Sequence, residues 1–338
     1  MNPTCRIGVI GIGHIGRNHA RILAEIAGQE FTAIYDGNRD AAEAVARQYK
    51  VKAAASLEEF ISLVDAATIA TPTPTHFPIG MALLEQGRHV LIEKPITENA
   101  SEAQLLVEAA QSRGLALQVG HVERFNPALS ALEERLNNPR FIESHRLSPY
   151  PNRSTEIGVV LDLMIHDLEI ILHLVRSEVQ SIDAVGIPIL SKGEDIANAR
   201  LRFTNGCVAN ITVSRVSPER LRKIRVFQPN AYLSLDYQKQ EGFTYRLADD
   251  SAQESSLLAK LFASNDSAIV SEFAGKKILR EPVRIEKGEP LLREIADFHA
   301  CARAGTRPKV SGYEATRALE IALEITRRIE EQNATAQP

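Results

Sequence analysis

The feature that most constrains this chain is a glycine pattern near its start. Gly11, Gly13 and Gly16 stand in the spacing G-x-G-x-x-G, with Ile12, His14 and Ile15 between them. The apolar run over residues 5–11 predicts a buried strand, and the apolar spacing over residues 15–27 predicts a helix. A glycine turn in that setting has definite uses. Gly11 allows the tight turn, Gly13 lets a pyrophosphate approach the backbone, and Gly16 lets helix and strand pack closely. The helix N-terminus, at His14 and Ile15, offers free N–H groups and partial positive charge to an anion. The pattern alone also fits a plain glycine turn, and FAD and S-adenosylmethionine compete as ligands. Asp36 narrows the choice. It ends a second predicted strand, over residues 31–35, where a carboxylate accepts both adenosine ribose hydroxyls. A carboxylate there repels a 2′-phosphate, so NAD is favoured over NADP; Arg39 is the one nearby residue that argues for NADP tolerance.

Strands and helices keep alternating after the glycine turn. Strands are expected over residues 66–70, 89–92 and 115–119, and helices over 40–49, 77–86 and 100–112. Ser56 and Glu59 have the spacing of a capping box. Repeated β-α-β units with short connections predict a doubly wound parallel sheet with helices on both faces. Ligands of such sheets bind outside the carboxyl ends of the strands. Those ends carry Thr71-Pro72, Glu93-Lys94-Pro95 and Gly120-His121. Thr-Pro also reads as a simple strand stop, and Lys94 as a solvated lysine. A lysine between a glutamate and a proline at a strand end, however, has a fixed backbone and a short reach into the crevice. His14, His19 and His76 read as serving helix ends and packing near the cofactor.

The second part has a different texture. Helices are expected over residues 124–136 and 159–175, and residues 252–274 read as a helical excursion. From about residue 181 strand-like pieces dominate, with Asn205-Gly206 a hairpin cue between residues 199–203 and 207–213. Further strands are expected over residues 224–227, 232–235 and 243–247. Pro290 suits the first turn of a helix, and Ser311 with Glu314 caps another whose Ala315, Ala318, Ala322 and Ile325 share one face. The result is a two-domain chain: residues 1–120 as the α/β dinucleotide domain, and residues 121–338 as an α+β domain with a large, mostly antiparallel, open-faced sheet. The 338 residues suit two domains.

Composition excludes other classes. Lys and Arg number 39 against 43 Asp and Glu, and Trp is absent, which argues against nucleic acid and anionic membranes as partners. Cys5, Cys207 and Cys301 form no C-x-x-C, so neither disulfides nor a cysteine zinc site is expected. Residues 159–175, the most apolar long segment, are interrupted by Asp162, His166, Asp167, Glu169 and His173, which excludes a simple membrane span. The first residues lack a basic then apolar leader, so a cytoplasmic location is expected.

Taken together, these residues resemble the glucose–fructose oxidoreductase / inositol dehydrogenase / rhizopine catabolism (Gfo/Idh/MocA) family. The resemblance rests on the three glycines, Asp36, Thr71-Pro72 with His76, Glu93-Lys94-Pro95, Asp162 and His166 on a helix, and Ser311-Gly312-Tyr313-Glu314-Ala315. It spans nearly the whole chain in the right order. It implies a Rossmann domain followed by a substrate domain, and NAD(P)-dependent oxidation of sugars, cyclitols or nucleotide sugars. It also implies a homo-oligomer, dimer or tetramer, assembled through the open face of the second sheet. Residues 120–127 and 161–168 are similar to a nucleotide-sugar branch that oxidises the 3-hydroxyl of UDP-N-acetylglucosamine for later amination towards lipid A. A relative acting on a free sugar, sugar acid or inositol is the nearest alternative, and an NAD-binding regulator a more distant one.

Oxidation of a secondary alcohol needs a base for the hydroxyl proton and an acceptor for the hydride. Asp162 and His166, four apart, share a helix face, and a carboxylate beside an imidazole fixes its tautomer and favours its charged form. His166 is therefore a credible base with Asp162 orienting it, although such a pair also fits a helix-stabilising contact. Lys94 can bind the hydroxyl and stabilise the alkoxide, or serve as the base itself. His166, Glu169 and His173 lie near one face, but no further ligand cluster joins them, so no metal is expected. Through the resemblance, the cofactor set is Gly11, Gly13, His14, Ile15, Gly16, Asp36, Arg39, Thr71, Pro72, His76, Glu93, Lys94 and His121. A diphosphate in the substrate needs cations or N–H donors. Arg124, Arg146 and Arg153 lie in or near segments flanking the cleft, and Arg153 is the expected contact, although an ordinary surface arginine fits as well. The expected substrate set is Lys94, Arg124, Asn126, Arg153 and His166.

Overall fold

A computed structural model describes residues 4–150, 157–229, 231–247, 268–273 and 276–335. Its contacts divide the chain into two units, residues 1–125 with 289–321 and residues 126–288 with 322–338. This differs from a single boundary at residue 120, because the chain returns to its first unit near the end.

The first unit is built on a six-stranded parallel sheet. Its strands are β1 (Ile7–Ile10), β2 (Phe31–Tyr35), β3 (Lys52–Ala53), β4 (Ala66–Ile69), β5 (His89–Glu93) and β6 (Leu117–Gly120), in the order β3-β2-β1-β4-β5-β6. Both faces of such a sheet are covered, and β1, β4 and β6 are buried along their whole length. The connecting helices are α1 (His14–Ile26), α2 (Arg39–Tyr49), α3 (Leu57–Leu63), α4 (His76–Glu85) and α5 (Ala100–Ser112). Short polar residues start several of them. Asn38 accepts from the Ala41 N–H, Ser56 from that of Glu59, and Asn99 from that of Glu102. The strand order reverses between β1 and β4, which puts the ligand crevice at their carboxyl ends.

The expected helix over residues 124–136 is broken. A short turn over Val122–Phe125 is followed by α6 (Pro127–Glu133). Pro127 lacks the N–H that a continuous helix needs and sits instead at the first position of a new one, capped by Asn126.

The second unit carries a nine-stranded sheet in the order β14-β15-β13-β12-β11-β7-β10-β9-β8. Its strands are β7 (Phe141–Leu147), β8 (Val179–Ile187), β9 (Ile196–Phe203), β10 (Val208–Ser214), β11 (Leu221–Gln228), β12 (Ala231–Asp236), β13 (Glu241–Leu247), β14 (Ala268–Phe273) and β15 (Lys276–Pro282). All pairs are antiparallel except β7 with β10. The described part of the expected helical excursion is strand β14; the rest lies outside the described residues. Strand β7 was not expected. Its buried positions include Ser144 and Arg146, which hide the alternation of apolar residues that marks a strand. Residues 160–164 form a π-helical turn leading into α7 (Ile165–Val175), where one continuous helix was expected.

Two helices end the chain, α8 (Pro290–Ala304) and α9 (Gly312–Thr335). α8 packs on α1, and its Ile295, Phe298 and Cys301 join the core formed by Ile22, Leu23 and Phe31. Late in α9, Arg328 and Asn333 donate to the Ile182 and Gly186 carbonyls of edge strand β8, at 2.6 and 3.1 Å. That pairing occupies backbone groups an edge strand otherwise leaves open. The three cysteines are free and buried. Among the described residues, no helix is long and apolar enough to cross a membrane.

Candidate active site

In the first unit, the carboxyl ends of β1, β2, β4, β5 and β6 bring most of the expected cofactor residues to one edge of the sheet. Gly11 has φ +88°, and its N–H donates to the Tyr35 carbonyl at 2.9 Å. A Cβ at Gly11 would lie 2.6 Å from the Ala70 carbonyl oxygen, and one at Gly16 only 1.8 Å from that of Gly11. The protein's own backbone therefore requires both glycines. A Cβ at Gly13 meets nothing within 4 Å, so this glycine leaves space at the start of α1. That space, at a helix start whose first N–H groups have no intrahelical carbonyl to meet, fits a pyrophosphate.

Asp36 closes the same loop. One carboxylate oxygen accepts from the Ile12 N–H at 2.6 Å, the other from the Asn38 N–H at 2.7 Å. Each oxygen retains a lone pair for a ribose hydroxyl. Arg39 is exposed on the first turn of α2 and pairs with Glu43 at 2.9 Å.

The neighbouring strand ends are tied together by two buried histidines. His76 lies between the Thr71 and Pro95 carbonyl oxygens, 2.9 Å from each, and so joins the loop after β4 to the loop after β5. The Lys94–Pro95 peptide bond is cis. His19, on α1, lies 3.0 Å from Glu93. The other Glu93 oxygen accepts from the Lys94 N–H at 3.3 Å. Gly120, opposite Glu93 in the β5–β6 register, makes room for that carboxylate, since a Cβ would lie 2.8 Å from it. Position His19 was legible only as a packing residue. Its tie to Glu93 spans 74 positions and leaves no local signal.

His121 follows β6 and is fully buried. Burial pushes its pKa down to about 3, helped by the positive charges of Lys94 and Arg124. The ring is thus neutral at working pH, in reach of the field of two cations. Lys94 is half-buried and Arg124 buried.

In the second unit, Asp162 lies in the π turn and His166 in the first turn of α7, both half-buried. The residue after His166 fixes that helix to the sheet. Asp167 is buried and accepts from the Ser144 hydroxyl and the Arg146 Nε, both at 2.7 Å. Arg146, expected near the cleft, is therefore bound up in a buried ion pair. Asn126 donates to the Tyr237 carbonyl at 3.1 Å and accepts from the Ala128 N–H at 3.0 Å. Its carboxamide is engaged in shaping the chain. Arg153 lies outside the described residues. No group of three His, Cys, Asp or Glu able to hold a metal occurs among the described residues.

Comparison with known proteins matches two family models. Residues 5–121 match the oxidoreductase family with an NAD-binding Rossmann fold, and residues 133–233 match the GFO/IDH/MocA C-terminal domain. A UDP-N-acetylglucosamine 3-dehydrogenase from Acidithiobacillus ferrooxidans is 40% identical over 233 residues, covering 69% of this chain and 74% of that protein. Its solved structure superposes with a TM-score of 0.85 at 33% identity, over 97% of this chain and 99% of that one. The scyllo-inositol 2-dehydrogenase (NAD(+)) of Bacillus subtilis is 24% identical over 346 residues, covering 96% and 94% of the two chains.

Proposed function

This chain belongs to the Gfo/Idh/MocA family of NAD-dependent oxidoreductases acting on CH–OH groups, and we propose that its substrate is UDP-N-acetylglucosamine, oxidised at the 3-hydroxyl to the 3-oxo sugar. The observation that carries the substrate is the 40% identity to an enzyme of that name over 69% of this chain. A 3-oxo sugar is a ketone suited to amination, so the product feeds 3-amino-sugar synthesis of the kind lipid A requires.

NAD, when bound, supplies the acceptor for the substrate hydride. The N–H groups at Gly13, His14 and Ile15 hold its pyrophosphate, and Asp36 holds the adenosine ribose. Thr71, Pro72 and Glu93 line the rest of its site; His76, held between the Thr71 and Pro95 carbonyls, and His121 are buried and act from beneath that lining, and Arg39 is the residue that would tolerate a 2′-phosphate. Lys94 binds the substrate hydroxyl and stabilises the alkoxide as it forms. His166 removes the hydroxyl proton, with Asp162 orienting its ring. Arg153 is the proposed contact to the substrate diphosphate, while buried Arg124 and Asn126 act through the chain they hold. The chain works as a homo-oligomer in the cytoplasm. A half-exposed aromatic row, Phe141, Phe227, Tyr232 and Tyr245, on the second sheet supports assembly through that face.

The test is direct. The protein is incubated with NAD and, separately, UDP-N-acetylglucosamine, UDP-glucose, scyllo-inositol and myo-inositol, and reduced cofactor is followed by absorbance. Turnover with the first is expected. Silence with both UDP-sugars beside turnover of an inositol would replace this reading with the second one, which similarity to the inositol dehydrogenase favours. Within the reaction, His166→Ala is expected to lower kcat by about 10²–10⁴-fold. Full turnover in that variant, with loss in Lys94→Ala, would move the base to Lys94.

A further inference from the structure

The segment that carries Asp162 and His166 is not capped by any side chain of its own start. Its first N–H groups are met from a distant loop. The Val159 N–H donates to the Glu194 carbonyl at 3.0 Å, and the Val160 N–H donates to the Glu194 carboxylate at 3.1 Å. One buried residue, 34 positions beyond Val160, thus supplies both a backbone and a side-chain acceptor. A carboxylate at a helix start is favoured by the helix dipole as well.

The fit around Glu194 is close. A Cβ at Gly158 would lie 2.0 Å from its carboxylate, and one at Gly186 would lie 3.1 Å from its own Cβ. The loop that presents it is locked. Buried Asp195 accepts from the N–H groups of Ile189, Leu190 and Ser191 on one oxygen, at 2.8, 2.6 and 2.9 Å. Its other oxygen accepts from the Ser191 hydroxyl at 2.6 Å and the Arg215 Nε at 2.7 Å. Arg215, also buried, reaches past it to the Ile157 carbonyl at 2.7 Å. The start of the segment is therefore gripped at residues 157, 159 and 160 by one network. Directly after this grip comes the π turn that contains Asp162, a geometry frequent at functional sites.

We propose that Glu194 is a positioning residue for the Asp162 and His166 pair: its carboxylate, held by the Asp195–Arg215 lock, sets the register of the π turn and so the placement of both side chains. This rests on the reading of that pair as the proton-handling group. Glu194→Gln keeps an acceptor of the same length, and its kcat is expected within about three-fold of the wild type. Glu194→Ala removes the acceptor and Glu194→Asp shortens it. Both are expected to lower kcat by about 10–100-fold, the size of loss that an ångström of misplacement brings, with KM for NAD unchanged. Rates are expressed per NAD-binding site, counted by titration, so that a merely less stable variant shows the wild-type value.

Gly158→Ala drives a methyl group into the same carboxylate and is expected to reproduce the loss. Combined with Glu194→Ala it is expected to be no worse than either alone, because both act through one contact. Hydrogen exchange gives a readout independent of turnover: amides 159–166 are expected to exchange at least about ten-fold faster in Glu194→Ala, the factor that a lost hydrogen bond of about 1.4 kcal/mol gives. Wild-type kcat per site in Glu194→Ala, beside an inactive His166→Ala, would overturn the positioning role alone. Full turnover in His166→Ala would overturn the assignment of the pair and this role with it. Multiplying losses in the Gly158/Glu194 double variant would also overturn it.

Discussion

Gly13 and Gly16 belong to one motif yet answer to different neighbours. Gly16 faces the Gly11 carbonyl oxygen, while Gly13 faces open space. Gly16→Ala is expected to destabilise the fold by about 1–3 kcal/mol or more, as overpacking against backbone does. Gly13→Ala is expected to leave stability within about 0.5 kcal/mol and to weaken NAD at least about ten-fold, a cost of about 1.4 kcal/mol in binding. Urea unfolding and NAD titration of the two variants separate the effects; equal NAD affinity in Gly13→Ala and the wild type would exclude close approach there. His121 makes a second prediction. Its pKa falls from the usual 6.5 to about 3 through burial, then Lys94 and Arg124. Between those values the unfolded chain takes up a proton that the folded chain refuses. The stability that His121 contributes is therefore complete above pH 6.5 and is lost as pH falls towards about 3, by up to about 1.4 kcal/mol per pH unit. His121→Gln lacks this loss, so its unfolding free energy is expected to fall less steeply between pH 7 and pH 4. Parallel curves would contradict a neutral buried ring.

At the scale of elements, strand β7 and helix α7 are joined by a charge pair where two apolar faces usually meet. Arg146 and Asp167 are both buried, 2.7 Å apart, with Ser144 on the second oxygen. Truncating one partner leaves the other charged and buried, so Arg146→Ala is expected to cost about 3–5 kcal/mol. Replacing both, as in Arg146→Met with Asp167→Leu, is expected to cost less than either single change; a larger cost in urea unfolding would argue against that account. The same pair explains why β7 was illegible in the sequence. Its residues Ser144 and Arg146 look like solvent-facing positions until the carboxylate that receives them is known. Helix starts were more readable, because Ser56 and Ser311 act within a few residues of themselves. The break at Asn126-Pro127 was equally local, yet it was masked by good helix formers on either side.

For the whole molecule, the first unit is discontinuous. Ile295, Phe298, Cys301 and Ala302 of α8 complete the core that α1, α2 and the start of the sheet begin. A fragment ending at residue 125 is therefore expected to unfold without a cooperative transition and to bind NAD far more weakly than the full chain. Adding residues 289–321 through a flexible linker is expected to restore both. Circular dichroism melts and NAD titration of the two fragments check this; a cooperative, NAD-binding fragment 1–125 would show that α8 is dispensable.

By itself the sequence determined a parallel sheet with five of its six strands, two-residue β3 being too short to show a pattern, together with the glycine loop with Asp36 and the strand-end groups at Thr71, Lys94 and His121. Those features follow from short-range rules: period, turn chemistry and the demand that strands of such a sheet end at one edge. Only the tertiary structure decided which charges are occupied. It tied His19 to Glu93 and His76 to two loops, closed Arg146 onto Asp167, and set Glu194 on the start of the Asp162 segment. Each of those partners is 19 or more positions away, or lies across strands that pair only once the fold exists, apart from the His76 contact to Thr71. A buried polar group must be matched, but its type and position do not say by whom. That identity is fixed by packing, which is why the same sequence that announced a dinucleotide loop kept its long-range polar ties hidden.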